Sequence, residues 1–218
     1  MPQKNEILLV DDHPLVREWL ANLINEQPDL HVCGEASDAP RAFELIAQTT
    51  PAVAIVDISL EGGSGIELIK SVKTNHPQVA MIVLSMHDEA LYAERALRAG
   101  ARGYIMKREA TKKILHAIRS VLGGKIYVSD KIAEIMAEKF VEGPISSEDS
   151  VERLSDRELE IFQLLGRGMN TRQIADHLHV GFKTVQTYCA RIKEKLKLDN
   201  ATQLLHEAIR WLETQQTK

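Results

Sequence analysis

Cysteine is nearly absent: Cys33 and Cys189 are the only two in 218 residues. They stand far apart, form no CxxC pair and offer no disulfide framework, so a reducing compartment, the cytoplasm, is expected. No window approaches the roughly 20 consecutive apolar residues of a membrane-spanning helix, and no membrane partner is expected. The opening MPQKNE is polar and leads into only four apolar residues, so no secretory leader is expected. A Cys/His metal centre is not expected either. The eight histidines are scattered, and the His177/His179 pair has no further ligand nearby, so both read as surface or helix-end residues. Nor does charge of one sign dominate, since 27 basic residues face 31 acidic ones. The distribution is uneven, however: 126–150 carries 2 basic against 6 acidic residues, and 151–218 carries 11 against 9, the only net basic stretch. Length suits one large or two modest domains, and 44% hydrophobic with 27% charged residues is ordinary for a globular chain.

The most informative stretch is AVAIVD at 52–57, an unalternated apolar run that ends in a carboxylate. Pro51 before it and Gly62, Gly63 and Gly65 after it bound the run too tightly for a helix. It reads as a strand buried on both faces, as in a parallel sheet covered by helices. Similar short runs at 7–10, 30–36, 79–84 and 103–106 alternate with helical patterns opening at His13-Pro14 and spanning 39–49, 66–75, 89–99 and 111–122. Gly100 and Gly123-Gly124 supply helix stops. Five strand–helix alternations predict an α/β, doubly wound, five-stranded parallel sheet.

In such a sheet the carboxyl ends of the strands share one edge, where ligands bind. The strand ends here are Asp11-Asp12, Asp57, Ser85 and Lys107. Clustered carboxylates repel unless a cation neutralises them, and an oxygen-only set suits Mg²⁺ with phosphate oxygens. A lysine and a hydroxyl suit a phosphoryl group, and an aspartate that accepts phosphate is established nucleophilic chemistry.

DDHP at 11–14, VDISL at 56–60, SMH at 85–87 and GYIMK at 103–107 resemble the motifs of a response-regulator receiver domain, in the same order and over about the first 123 residues. The resemblance implies that Asp57 is the phospho-acceptor. It implies that Asp12, Asp57 and the backbone carbonyl of Ser59 bind Mg²⁺, with Asp11 helping through water. It implies that Ser85 and Lys107 contact the phosphoryl group, that Tyr104 is an aromatic switch coupled to Ser85, and that Ser59 and His87 tune dephosphorylation. Glu61 stands where the family usually has proline. A phosphate-ester hydrolase of the haloacid-dehalogenase kind is the enzymatic rival, but that chemistry usually needs a second aspartate at position 59, which is Ser59. No enzyme beyond self-phosphorylation and dephosphorylation is expected. A receiver that works without phosphorylation is the other alternative.

Residues 126–140 continue as a further helix pattern, and VEGPISSEDSV at 141–151 reads as a polar, turn-forming linker. After it the pattern is helical throughout. Ser155 and Glu158 form a capping-box signature for a helix to about Arg167. A short helix at 171–178, a turn at His179-Val180-Gly181 and a longer helix at 182–196 follow. On the last, Val185, Cys189, Ile192 and Leu196 make one apolar stripe, with Gln186, Thr187, Ala190 and Arg191 away from it. Short helix, tight turn and polar-faced second helix are what entry into a major groove requires. Gln can read adenine, Thr can pack on the thymine methyl, and Arg or Lys can hold phosphates.

The stretch LSDRELEIFQLLGRGMNTRQIADHLHVGFKTVQTYCARIKEKL resembles the LuxR-type helix-turn-helix of NarL/FixJ response regulators, with Gly181 in place of a common serine. By position in that motif, Gln186, Thr187 and Ala190 face bases, while Lys183, Thr184, Arg191 and Lys195 face the DNA backbone. A last helix at 202–211 is the implied dimer surface, with Leu205, Ile209 and Leu212 as contacts. The expected organisation is a receiver at 1–123, a helix and interdomain linker at 124–150, and a small all-α helix-turn-helix domain at 151–218. The resemblance implies a histidine kinase as phosphodonor, double-stranded DNA half-sites as target, a homodimer on activation, and RNA polymerase as a further partner.

Overall fold

The computed structural model describes residues 4–61, 63–142 and 151–216. Gly62 and most of the expected linker, 143–150, lie outside the described residues. The chain divides into two compact units, Met1–Pro144 and Ile145–Lys218.

The first unit runs β1 (Asn5–Val10), α1 (Pro14–Asn25), β2 (Leu30–Ala36), α2 (Ala39–Thr49), β3 (Val53–Val56), β4 (Ser59–Leu60), β5 (Gly63–Ser64), α3 (Gly65–Asn75), β6 (Ala80–Ser85), α4 (Glu89–Ala99), β7 (Gly103–Met106), α5 (Ala110–Leu122) and α6 (Asp130–Glu142). Local chemistry sets these boundaries. Pro14 supplies the fixed φ that opens α1. Asp38 accepts the Arg41 amide at 2.8 Å to cap α2, and Asp88 accepts that of Ala90 at 2.9 Å to cap α4. Gly100 closes α4 at φ 121°, where a side chain would be strained.

Five strands form one parallel sheet in the order β2-β1-β3-β6-β7. Ile7, Leu9, Val53, Ile55, Ile82 and Leu84 pack on one face against Leu20 and Ile24 of α1 and Ile114, Ala117, Ile118 and Val121 of α5. Their alternates Leu8, Val10, Ala54, Val56, Met81 and Val83 are equally buried on the opposite face. There α2, α3 and α4 pack in succession and bury Ile46, Ile66, Ile69, Tyr92, Ala93 and Ala96. Burial on both sides is why the strands show no polar alternation. The doubly wound sheet expected from the sequence is therefore present.

Two local features go beyond the sequence reading. After β3 the chain folds into the small antiparallel pair Ser59↔Ser64 and Leu60↔Gly63, with Glu61 exposed at its turn. After α5 the helix pattern expected from residue 126 starts only at Asp130. Instead Tyr127 bridges Gly103 in parallel, accepting the Tyr104 amide and donating to Arg102 O, both at 2.9 Å. Ile126, Tyr127 and Val128 are strand formers beside a free strand edge, and that tertiary opportunity overrides the helical spacing. Ser129 then starts the helix by accepting the Ile132 amide at 3.2 Å. Ile132 is buried and Lys139 pairs with Glu94 of α4 at 2.7 Å, so this segment belongs to the first unit rather than to a free linker.

The second unit holds α7 (Asp156–Gly166), α8 (Thr171–His177), α9 (Phe182–Lys195) and α10 (Ala201–Gln216). The Ser155–Glu158 capping box forms as expected. Asn170, read from sequence only as a breaker, builds a second one with Gln173. Phe162, Ile174, Val185, Ile192, Leu204 and Ala208 are among its buried apolar residues. α10 extends beyond the expected 202–211 in both directions.

Candidate functional site

The strand order places a switch between β1 and β3, where successive connections leave in opposite directions; ligands of open α/β sheets sit there. The register then aligns the polar strand ends. Val10 pairs with Val56, so Asp11 and Asp57 follow at one level, and the Asp57 amide donates to Val10 O at 2.8 Å. Ser85 pairs with Met106, so Lys107 follows one step later. Asp11, Asp57 and Ser85 are all buried.

Lys107 ties the cluster together, its Nζ lying 2.6 Å from Asp57 Oδ2 and 2.7 Å from Asp11 Oδ2. Burial is the largest influence on the Asp57 carboxyl and raises its pKa; Lys107 opposes this, Asp11 adds to it, and the net shift is upward. For Lys107 burial acts downward, yet the attraction of Asp57 and Asp11 outweighs it and the ammonium is held above its ordinary value. One ammonium thus serves two carboxylates, and Asp12 adds a third.

The donor set fits a divalent cation. One ligand atom each from Asp11, Asp12, His13 and Asp57 lies within 4.8 Å of every other. Asp12 Oδ1 is buried without a hydrogen bond; His13 Nδ1 stands 2.6 Å away but not in hydrogen-bonding geometry. An orphaned carboxylate oxygen is costly to bury, and a hard cation satisfies it. His13, which also approaches Asp11 Oδ1 at 3.1 Å, was not among the sequence-derived ligands; its place directly after the two aspartates was the available signal.

Around this core the expected accessory residues come together. Ser59 Oγ and His87 Nε2 are 2.8 Å apart, and the Ser59 amide reaches Asp57 Oδ1 at 3.4 Å. The His87 amide donates to Ser85 Oγ at 3.2 Å, while the Tyr104 hydroxyl donates to His87 O at 2.9 Å. Ser85 and Tyr104 therefore meet at one residue. The Tyr104 ring is buried, which is the main reason its hydroxyl titrates well above the ordinary range. Gly65 is a site residue that the sequence reading used only as a boundary: a Cβ there would fall 1.9 Å from the Asp57 carbonyl oxygen.

In the second unit, α9 turns Val185 and Ile192 inward, followed by buried Leu196. Lys183, Thr184, Gln186, Thr187, Ala190 and Arg191 are exposed together along it. Lys195 is placed differently. Its Nζ lies 2.6 Å from Glu158 Oε2 of α7, so its charge is engaged inside the domain. Of the expected α10 contacts, Leu205 is exposed and Ile209 and Leu212 are half-buried.

Gly181 caps α9 without a side-chain bond, at φ −65°, and a Cβ there would meet only Thr184 Oγ1, at 3.5 Å. Gly181→Ser is therefore expected to supply the missing cap and raise the helical unit's stability by a few tenths of a kcal/mol. Urea unfolding followed by far-UV circular dichroism checks this; a destabilised variant would mean the cap cannot form.

Comparison with known proteins places both sites in context. Residues 7–119 match the family described as the response regulator receiver domain, and residues 152–208 match the bacterial regulatory proteins of the luxR family. The oxygen regulatory protein NreC of Staphylococcus haemolyticus (strain JCSC1435) is 32% identical over 210 residues, 94% of this chain and 97% of NreC. The transcriptional activator protein ExaE of Pseudomonas putida is 34% identical over 203 residues, 93% of this chain and 95% of ExaE. Among solved structures, RcsB from Salmonella enterica serovar Typhimurium, bound to promoter rprA with the phosphomimetic BeF3⁻, is similar at TM-score 0.60 and 25% identity, over 94% of this chain and 98% of that one.

Proposed function

Because the chain belongs to the NarL/FixJ family of response regulators, which join a receiver to a LuxR-type DNA-binding domain, we propose that phosphorylation of Asp57 controls its binding to DNA. The observation that carries this reading is the Lys107 ammonium held between the Asp57 and Asp11 carboxylates at the sheet's switch point. Asp57 Oδ attacks the phosphorus of a phosphohistidine on a histidine kinase; the O–P bond forms, the N–P bond breaks, and the departing imidazole takes up a proton. Lys107 and the Ser85 hydroxyl donate to the phosphoryl oxygens as charge gathers there. Asp12, Asp57 and the Ser59 carbonyl would hold Mg²⁺, with Asp11 helping through water, and the bound ion would supply positive charge against the incoming phosphoryl group.

The phosphoryl group competes with existing partners of Ser85 and Lys107. Drawing Ser85 toward it disturbs the His87 amide that Ser85 Oγ accepts, and with it the carbonyl that Tyr104 holds. Tyr104 thereby biases the receiver between two conformations. Output follows as a homodimer on paired DNA half-sites, with Gln186, Thr187 and Ala190 toward bases and Lys183, Thr184 and Arg191 toward phosphates. The Lys195–Glu158 pair favours a structural role for Lys195 over a phosphate contact. The receiver is taken as 1–123 with the 124–142 extension packed on it, and the DNA-binding domain as 151–218. The remaining partners in this reading are a cognate histidine kinase and RNA polymerase, in the cytoplasm.

Intact mass after incubation with a small phosphodonor and Mg²⁺ tests the acceptor. A phosphoryl adduct is expected on the wild type and none on Asp57→Asn. An adduct on both proteins moves the acceptor elsewhere, and DNA affinity unchanged by phosphorylation would sink the coupling.

A further inference from the structure

Phe182 is the one exposed large apolar side chain on α9, with 41% of its surface open. It begins the helix, and Gln186 and Ala190 follow at i+4 and i+8, so all three share one row along the surface. Both of the others are exposed, and the inward stripe of Val185 and Ile192 lies to one side of the row. Helical side chains lean toward the amino terminus, which carries the ring over the turn at Gly181. Glycine there adds no side chain over the ring, and a Cβ built on it would meet, its chain neighbours aside, only Thr184 Oγ1. Exposed Lys183 and Arg191 on the same helix supply the charge that draws phosphates to this surface. A partly exposed aromatic ring in line with exposed Gln186 and Ala190 is matched by one chemical group of the major groove, the thymine C5-methyl.

We infer that Phe182 is a specificity-determining residue, its ring packing on a thymine methyl at one position of each half-site. This rests on α9 being the DNA-reading helix. Hydrogen bonding by Gln186 then reads a neighbouring base, and the ring rejects cytosine at its own position because the methyl is missing there.

The test removes that methyl and nothing else. Duplexes are enriched from a random-sequence pool by the full-length protein treated with phosphodonor and Mg²⁺, and each thymine is then replaced in turn by deoxyuridine. For the wild type, one thymine per half-site is expected to lose about fourfold in affinity, the worth of one buried methyl group. Phe182→Ala binds the thymine and uracil duplexes equally at that position. Phe182→Gln, which keeps side-chain length and helical propensity, behaves in the same way, and circular dichroism identifies any variant that has lost its helices. A wild type indifferent to every methyl overturns the proposal. So does full methyl discrimination retained by the two variants, which assigns the contact to Thr187 or Ala190. A pool that yields no enriched sequence refutes the DNA-reading role of α9 itself, and is thereby distinguishable from failure of Phe182 alone.

Discussion

Gly65→Ala is expected to disable the acceptor site without touching any of its charged residues. The added Cβ would lie 1.9 Å from the Asp57 carbonyl oxygen and 2.8 Å from its carbonyl carbon. Both are backbone atoms, so no rotamer change relieves the overlap. The Gly65 amide also donates to Ile58 O at 2.7 Å, which pins α3 against the segment that must move. Displacing the Asp57 backbone by even an ångström shifts its carboxylate relative to Lys107 and Ser85, and misplacement on that scale costs about 100-fold in rate. Phosphoryl uptake by intact mass should fall by that order, with overpacking costing about 1–3 kcal/mol of stability. Trp19 packs on the sheet core and Trp211 lies in α10, so a Trp211→Phe background lets fluorescence report the sheet unit alone. Unaltered phosphorylation kinetics in Gly65→Ala would show that the loop can rearrange freely.

Glu158→Ala is expected to weaken the helical unit substantially. The Glu158 carboxylate accepts the Ser155 amide at 2.7 Å and lies 2.6 Å from Lys195 Nζ, so one side chain caps α7 and anchors the end of α9. Loss of the cap and of a charged hydrogen bond together is expected to cost about 2–3 kcal/mol. Burial alone would raise this carboxyl's pKa, but Lys195 and Ser155 outweigh it and the net shift is downward. A depressed carboxyl stabilises the fold above its ordinary value of 4.5, and that contribution is lost as pH falls through the folded value. The gap between wild type and variant is thus widest near neutrality and narrows in acid. Glu158→Gln, which keeps the cap but not the charge, should fall between them. A gap independent of pH would mean that the ion pair contributes nothing.

The polar strand ends were legible because each follows an unbroken apolar run, and a parallel sheet brings such ends to one edge wherever the helices lie. The helix-turn-helix was legible because Val185, Cys189, Ile192 and Leu196 keep helical spacing beside a polar face. Other features depended on contacts between distant residues. Gly65 looks no different from Gly63 in sequence, and only the approach of the Asp57 carbonyl separates them. Lys195 sits among basic residues suited to DNA, and its engagement by Glu158, 37 positions away, is a property of helix packing. Tyr127 fits a helical spacing, yet a neighbouring strand with unpaired backbone groups captured it. Asn170 can break or cap a helix with the same side chain, and only Gln173 three positions on decides between them.

That capture of Tyr127 bears on solubility. β7 ends the sheet, and an uncovered terminal strand offers a row of amides and carbonyls on which another chain can template itself. Tyr127 occupies the Tyr104 amide and the Arg102 carbonyl before any neighbour can reach them. The stretch that leaves the sheet toward α6 therefore also acts as a guard against edge-to-edge aggregation, and shortening it would expose an adhesive margin on an otherwise well-packed protein.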